Sequence, residues 1–236
     1  MQDVYKMQDV RISEQGIVKN IISLSYNFQT TTREYIQNVL KKNLETNPEN
    51  YSIDFTIKQH DKHFMYVFTE TNAIGFKDID EMQKAFSIAD SDRTGANNMG
   101  YGIYSPITIN KEASTIGLFV QNTPNGAYYS IVYFDASTFK MCSRQGRLEE
   151  LGDISHPIFQ TTENGTKFIW FQINKETVLN DSNEIIITLK RLYGQYERKD
   201  VYKPEDWSSE IEELGKFYSD YIKVGASINY DGKKIK

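Results

Sequence analysis

Apolar residues recur every three to four positions in the stretch SEQGIVKNIISLSYN, where Ile17, Val18, Ile21, Ile22 and Leu24 fall on one side and Ser13 is placed to cap the start. That spacing predicts a helix. A second helix is predicted over residues 31–44, with Tyr35, Ile36, Val39 and Leu40 as its apolar stripe. The period then changes to two in YSIDFTIK and HFMYVFT, which the polar turn QHDK joins into an antiparallel hairpin. Further on, STIGLFVQ and AYYSIVYFD flank the turn signal Asn125-Gly126 and form a second hairpin, and TKFIWFQI adds another strand. Between the hairpins lie a short helix in KDIDEMQKAFSIAD and the polar, glycine-bearing loop SDRTGANNMGYGIYSP. After the last hairpin the pattern is helical again in NEIIITLKRLYGQY and in the acidic amphipathic stretch WSSEIEELGKFYSDYI, before a closing strand and turn in KVGASINYDGKKIK. The fold class that follows is α+β, a two-layer sandwich of a mixed, mostly antiparallel sheet covered on one face by helices. With no proline-rich or serine-rich linker, one domain over residues 13–222 is expected, between a flexible N-terminus (1–12) and a C-terminal strand and tail (223–236).

Composition narrows the functions that suit such a domain. At 236 residues, with 39% hydrophobic and 13% aromatic positions, the chain can bury a core without disulfides. Its single cysteine, Cys142, excludes an internal disulfide and a cysteine-cluster metal site, which fits a reducing compartment. The net charge of −5 carries no basic block, so a phosphate-tracking nucleic-acid surface is unsupported. No run has the length and apolarity of a signal peptide or a membrane helix, and a cytoplasmic protein is expected. His60 and His63 flank a hairpin turn and read as turn residues rather than a metal pair, while Trp170 and Trp207 read as core or half-buried.

The candidate chemistry sits in TTREYIQNVLKK, where Glu34 and Asn38 lie four residues apart and leave the same face of the second helix. A carboxylate in reach of water can act as a general base, and an amide oxygen suits a hard cation that keeps several waters. In isolation such a pair is usually a solvated helix face. Three further stretches change its weight: TNAIGF (residues 71–76) directly after a strand, NNMGYGIYSP (residues 97–106) at the end of the polar loop, and ENGTKFIWFQI with Gly165-Thr166 opening a strand.

Taken in order with GIVKNIISLSYNFQTTTREYIQNVL, these motifs resemble the ATP-binding domain of the GHKL superfamily, shared by DNA gyrase, heat-shock chaperones of the ninety-kilodalton class, histidine kinases and MutL. The resemblance covers roughly residues 13–171 and is nearest to the chaperone-like branch. It implies a Bergerat-type fold binding ATP and Mg2+, with Glu34 as the catalytic base and Asn38 as the magnesium ligand. It further implies nucleotide contacts from Arg33, Lys41, Thr71, Asn72, Gly75, Phe76, Asn98, Gly100, Tyr101, Gly102 and Thr166. The sequence departs from the family at Thr71, where the adenine-recognising aspartate is expected, at Ala73, at Asn97 and at Lys41. Glu70 would point to the opposite side of a continuing strand from Thr71, and would take the aspartate's place only through a bulge.

The expected function is therefore a nucleotide-binding domain, a slow Mg-dependent ATPase whose lid at about residues 89–99 closes and drives a conformational or dimerisation switch. The alternative is a degenerate GHKL fold serving as a non-catalytic interaction or regulatory module. A histidine-kinase domain is less favoured, because none of His60, His63 and His156 falls on a dimerisation helix. Expected partners are ATP or a related nucleotide and a homodimer mate or another protein, with no membrane. Residues 223–236 are where family ATPases continue into a transducer domain, and Lys233, Lys234 and Lys236 read as a solvated tail.

Overall fold

The computed structural model describes residues 8–9, 26–44, 50–86, 101–162, 164–202 and 207–236. The helix predicted from Ser13 and the lid lie outside them.

The first described helix, α1 (Phe28–Leu44), begins three residues earlier than the apolar stripe alone suggests. Asn27 caps it: its side-chain oxygen accepts from the Thr30 amide at 2.8 Å, and Thr30 Oγ1 accepts from the Asn27 amide at 2.9 Å. This reciprocal cap satisfies two amides that a helix start leaves open, and it offsets the poor helical preference of the Thr30-Thr31-Thr32 run. The hairpin follows as β2 (Ser52–His60) and β3 (His63–Thr71), then α2 (Ile79–Ala85) with Asp78 as its cap. A 3-10 turn (Tyr101–Tyr104) leads into the short α3 (Pro106–Ile109). Strands β4 (Ala113–Thr123), β5 (Gly126–Asp135) and β6 (Lys140–Arg147) form a meander, and β7 (Gly165–Asn174) returns to the sheet. Helices α4 (Ser182–Glu197), α5 (Trp207–Phe217) and α6 (Ser219–Lys223) precede β8 (Ser227–Tyr230) and β9 (Lys233–Lys234). With a short N-terminal β1 (Gln8–Asp9), the sheet order is β1-β6-β5-β4-β7-β3-β2-β8-β9. Every described pairing is antiparallel except β2 with β8, so the sheet is mixed and mostly antiparallel.

Residues 223–236, set apart in the sequence pattern, are built into this sheet and core: β8 pairs with β2, and Ile228 and Ile235 are buried. Strand β6 was not legible in the sequence. KMCSRQGR has only Met141 and half-buried Cys142 as apolar residues, and it is ordered by the ladder it makes with β5.

The core has two halves, one on each face of the sheet. Tyr66 and Phe68 of β3, Phe119 of β4, and Phe168 and Trp170 of β7 pack against Tyr35, Ile36 and Leu40 of α1, Met82 of α2 and Leu214 of α5. On the other face Ile116, Leu118 and Val120 of β4 and Ile169 and Phe171 of β7 meet Ile185, Leu189, Leu192 and Tyr196 of α4. Helices therefore lie on both faces of the sheet, not on one as the sequence pattern suggests. The reason is visible in the strands. Every residue of β7 except Asn174, and every residue of β4 except Asn122, is buried, so both faces of the central strands must be covered.

Candidate functional site

The candidate site forms on the α1 face, where three chain segments converge. Glu34 is half-buried and Asn38 is exposed one turn further along α1. The 3-10 turn approaches them so closely that a Cβ on Gly102 would stand 2.6 Å from Glu34 Oε2 and 3.4 Å from Asn38 Nδ2. Only a residue without a side chain allows the backbone that near to the carboxylate. Tyr35, beside Glu34 in sequence, holds the turn in place. Its hydroxyl donates to the Ile103 carbonyl at 2.7 Å and accepts from Trp170 Nε1 at 2.6 Å, so β7, α1 and the turn are tied by one chain of hydrogen bonds. The Tyr104 hydroxyl donates to the Phe86 carbonyl, which pins the C-terminal end of α2 to the same turn.

Burial raises the Glu34 carboxyl above the usual carboxylate range. Its charge in turn helps to raise the Tyr26 and Tyr218 hydroxyls, after their own desolvation. A carboxylate short of water is a stronger base than a solvated one.

A second cluster lies under the C-terminal end of α1. The Glu70 carboxylate, buried on β3, accepts from the Tyr51 hydroxyl at 2.6 Å, from Asn43 Nδ2 at 3.1 Å and from Thr166 Oγ1. Asn43 also accepts the Ile74 amide at 2.8 Å through Oδ1, so one carboxamide joins α1, the buried acid and the TNAIGF turn. That turn is shaped by Asn72 and Gly75, at φ of 57° and 67°. Asn72 donates to the Asn50 carbonyl at 2.7 Å. Gln121 braces the far end of the turn, accepting the Phe76 amide at 2.7 Å and donating to the Phe76 carbonyl at 2.8 Å. A Cβ on Gly75 would lie 2.5 Å from the Gln121 amide carbon, and its φ of 67° also favours glycine.

Strand β3 runs without a bulge through Glu70↔Thr166 and Thr71↔Ser52. Glu70 therefore shares the face of Tyr66 and Phe68 and looks toward α1. Thr71 looks to the opposite face, where its hydroxyl donates to Thr162 Oγ1 at 3.2 Å. The acid reaches the α1 side by ordinary alternation, with no bulge required.

The structure brings together Glu34, Asn38 and Gly102, and separately Thr166 and Glu70, while Asn72, Gly75 and Phe76 shape the neighbouring turn against Asn50 and Gln121. Arg33 is directed elsewhere: its guanidinium lies 3.7 Å from Glu213 and 5.2 Å from the centroid of Phe217, both on α5. Phe76 packs among Phe86 and Phe119, with ring centroids at 6.2 and 5.3 Å. Asn98, Gly100 and the side chains of Lys41 and Tyr101 lie outside the described residues. Asn43, Tyr51 and Gln121 were not foreseen. One signal was available for Asn43, which stands three residues after Leu40 and seven after Ile36 on the apolar stripe. A polar residue there must be satisfied by a buried partner.

Among the described residues no three carboxylates, histidines or cysteines are grouped as a preformed metal cage. Asn38, exposed on α1, suits a hydrated Mg2+ delivered with phosphates rather than a dedicated cation site. Among the described residues no helix is long and apolar enough to cross a membrane. No family model matches the chain, and no curated protein matches it.

Proposed function

We propose that this protein is a nucleotide-binding domain of GHKL type, which takes ATP with Mg2+ and hydrolyses it slowly. The observation that carries the reading is the meeting of Glu34, Asn38 and the Gly102 backbone at one point, from motifs nearly seventy residues apart. A half-buried carboxylate beside an open carboxamide and a bare stretch of backbone supplies what phosphoryl hydrolysis needs from a protein. Asn38 would hold the magnesium ion, which would neutralise charge on the phosphates. Glu34 would orient water and accept its proton. The nucleotide base would lie against the TNAIGF turn, with Glu70 in place of the family's aspartate.

A specific observation favours a second reading, a non-catalytic module of the same fold. Glu70 already accepts from Tyr51, Asn43 and Thr166, so its carboxylate is engaged within the protein. The two readings separate in one calorimetric titration with a non-hydrolysable ATP analogue, with and without Mg2+. Magnesium-dependent binding that Asn38→Ala abolishes is the expected result. Absence of binding at millimolar analogue, or full binding by Asn38→Ala, rejects the nucleotide site as drawn.

A further inference from the structure

The opposite face of the sheet carries a concavity that the nucleotide reading does not use. It is a cleft of about 410 Å³ between the end of β2 and the second half of α4, lined by His60, Arg191, Gly194, Gln195, Arg198 and Lys199. Among the described residues no acidic side chain lines it, in a chain whose net charge is −5. Its neighbours in sequence, Asp61, Glu197 and Asp200, are not in the lining, and Asp61 pairs with His60 at 3.8 Å.

The helix supplies the geometry. Arg191, Gly194 with Gln195, and the C-cap residue Arg198 follow one another at three- and four-residue steps, so they line one side of α4 and its C-terminal end. Seven residues at 1.5 Å each put the two arginines roughly 10 Å apart along the axis. Gly194 sits between them, and a Cβ built there meets nothing within 4 Å. The floor of the cleft is thus open because a side chain is missing, although glycine inside a helix costs stability. Lys58 takes the Glu197 carbonyl at 3.1 Å and so answers the negative end of the helix. Arg191, Arg198 and Lys199 form no ion pair among the described residues.

From this arrangement we infer that the cleft binds a compact organic phosphate carrying two or more phosphoryl groups. Two guanidinium forks separated by an open floor can each grip one phosphoryl group bidentately, with the Lys199 ammonium adding a point charge. The volume lies in the range of small-molecule sites. A long nucleic-acid polyanion is disfavoured, since it would also meet the acidic remainder of the surface.

The test is a titration of the full chain with inorganic tripolyphosphate at 0.15 M salt, a concentration that screens loose surface attraction, followed by amide NMR shifts. Shifts are expected at residues 58–60 and 191–199. The double variant Arg191→Ala/Arg198→Ala should weaken binding roughly 100-fold, the loss of charge-assisted bonds at two positions. Gly194→Leu changes no charge, and the open space tolerates it. It fills the floor and should weaken binding at least about 10-fold, the low end of what a misplaced charge-assisted bond costs. Wild-type affinity in Gly194→Leu would reduce the cleft to diffuse surface attraction and overturn the inference. So would tighter binding of a single-stranded oligonucleotide through the same residues. Tripolyphosphate binding that survives the arginine changes and vanishes in Asn38→Ala belongs to the α1 face and also overturns it, without touching the nucleotide proposal.

Discussion

Gly102→Ala tests the proposed catalytic geometry with the smallest possible change. The added Cβ would stand 2.6 Å from Glu34 Oε2, whereas ordinary contact begins at about 3.4 Å, so the carboxylate must withdraw by about 0.8 Å. It is the far end of a flexible side chain, half-buried, and it can move by a rotamer adjustment. The fold should therefore lose no more than about 1 kcal/mol, read by urea unfolding. Asn38 Nδ2 is at 3.4 Å and need not move, so magnesium-dependent analogue binding should stay within about 3-fold. Hydrolysis should suffer far more. A displacement near 1 Å of a catalytic group can cost roughly 100-fold in rate, equivalent to about 2.7 kcal/mol of barrier. The assay is single-turnover ATP hydrolysis of wild type, Gly102→Ala and Glu34→Ala side by side. If wild type hydrolyses ATP, Glu34→Ala does not, and Gly102→Ala matches wild type, the proximity of Gly102 and Glu34 has no catalytic meaning and the reasoning fails.

Two further predictions concern groups that the sheet buries. Glu70→Ala leaves the Tyr51 hydroxyl, Asn43 amide and Thr166 hydroxyl without their shared acceptor, and at roughly 1 to 3 kcal/mol for each stranded buried group the loss should exceed about 3 kcal/mol; a change under about 1 kcal/mol in urea unfolding would show that the cluster does not hold α1 to the sheet. Lys167 is buried, its ammonium donates to the Pro157 and Gln160 carbonyls, and desolvation lowers its pKa from 10.5 to about 8. A lysine lowered in the folded state costs stability below pH 8, and that cost fades as pH rises toward 10.5, because the unfolded chain then holds the proton more tightly. Relative to Lys167→Met, the wild-type protein should gain up to roughly 3 kcal/mol between pH 7.5 and 10.5; unfolding free energies that keep a constant difference over that range would contradict this.

Much of the fold can be read locally. The stripe of Tyr35, Ile36, Val39 and Leu40, the two alternating hairpins, the Asn125-Gly126 turn and the stripe of α4 each carry their signal within a dozen residues, because helical and extended backbones impose periods that burial then selects. The order of Glu34, Asn38, TNAIGF and Gly102 along the chain is likewise a property of the sequence, and so is the expectation that Glu34 and Asn38 share a face. Alternation states that Glu70 and Thr71 point opposite ways, but it does not say which of them meets α1. That depends on which face of β3 the helix packs, a choice made by Tyr66, Phe68 and Trp170 together. Arg33 has a long side chain with several possible directions, and α5 decides it by offering Glu213 and Phe217. Strand β6 carries too few apolar residues to declare itself and is ordered by β5. The helices on both faces follow from the burial of β4 and β7 on both sides, a demand that arises only when the whole sheet is assembled. Period and turn chemistry act between neighbours in the chain, whereas facing, register and the pairing of buried polar groups are settled between segments far apart in it, and so only the tertiary structure decided them.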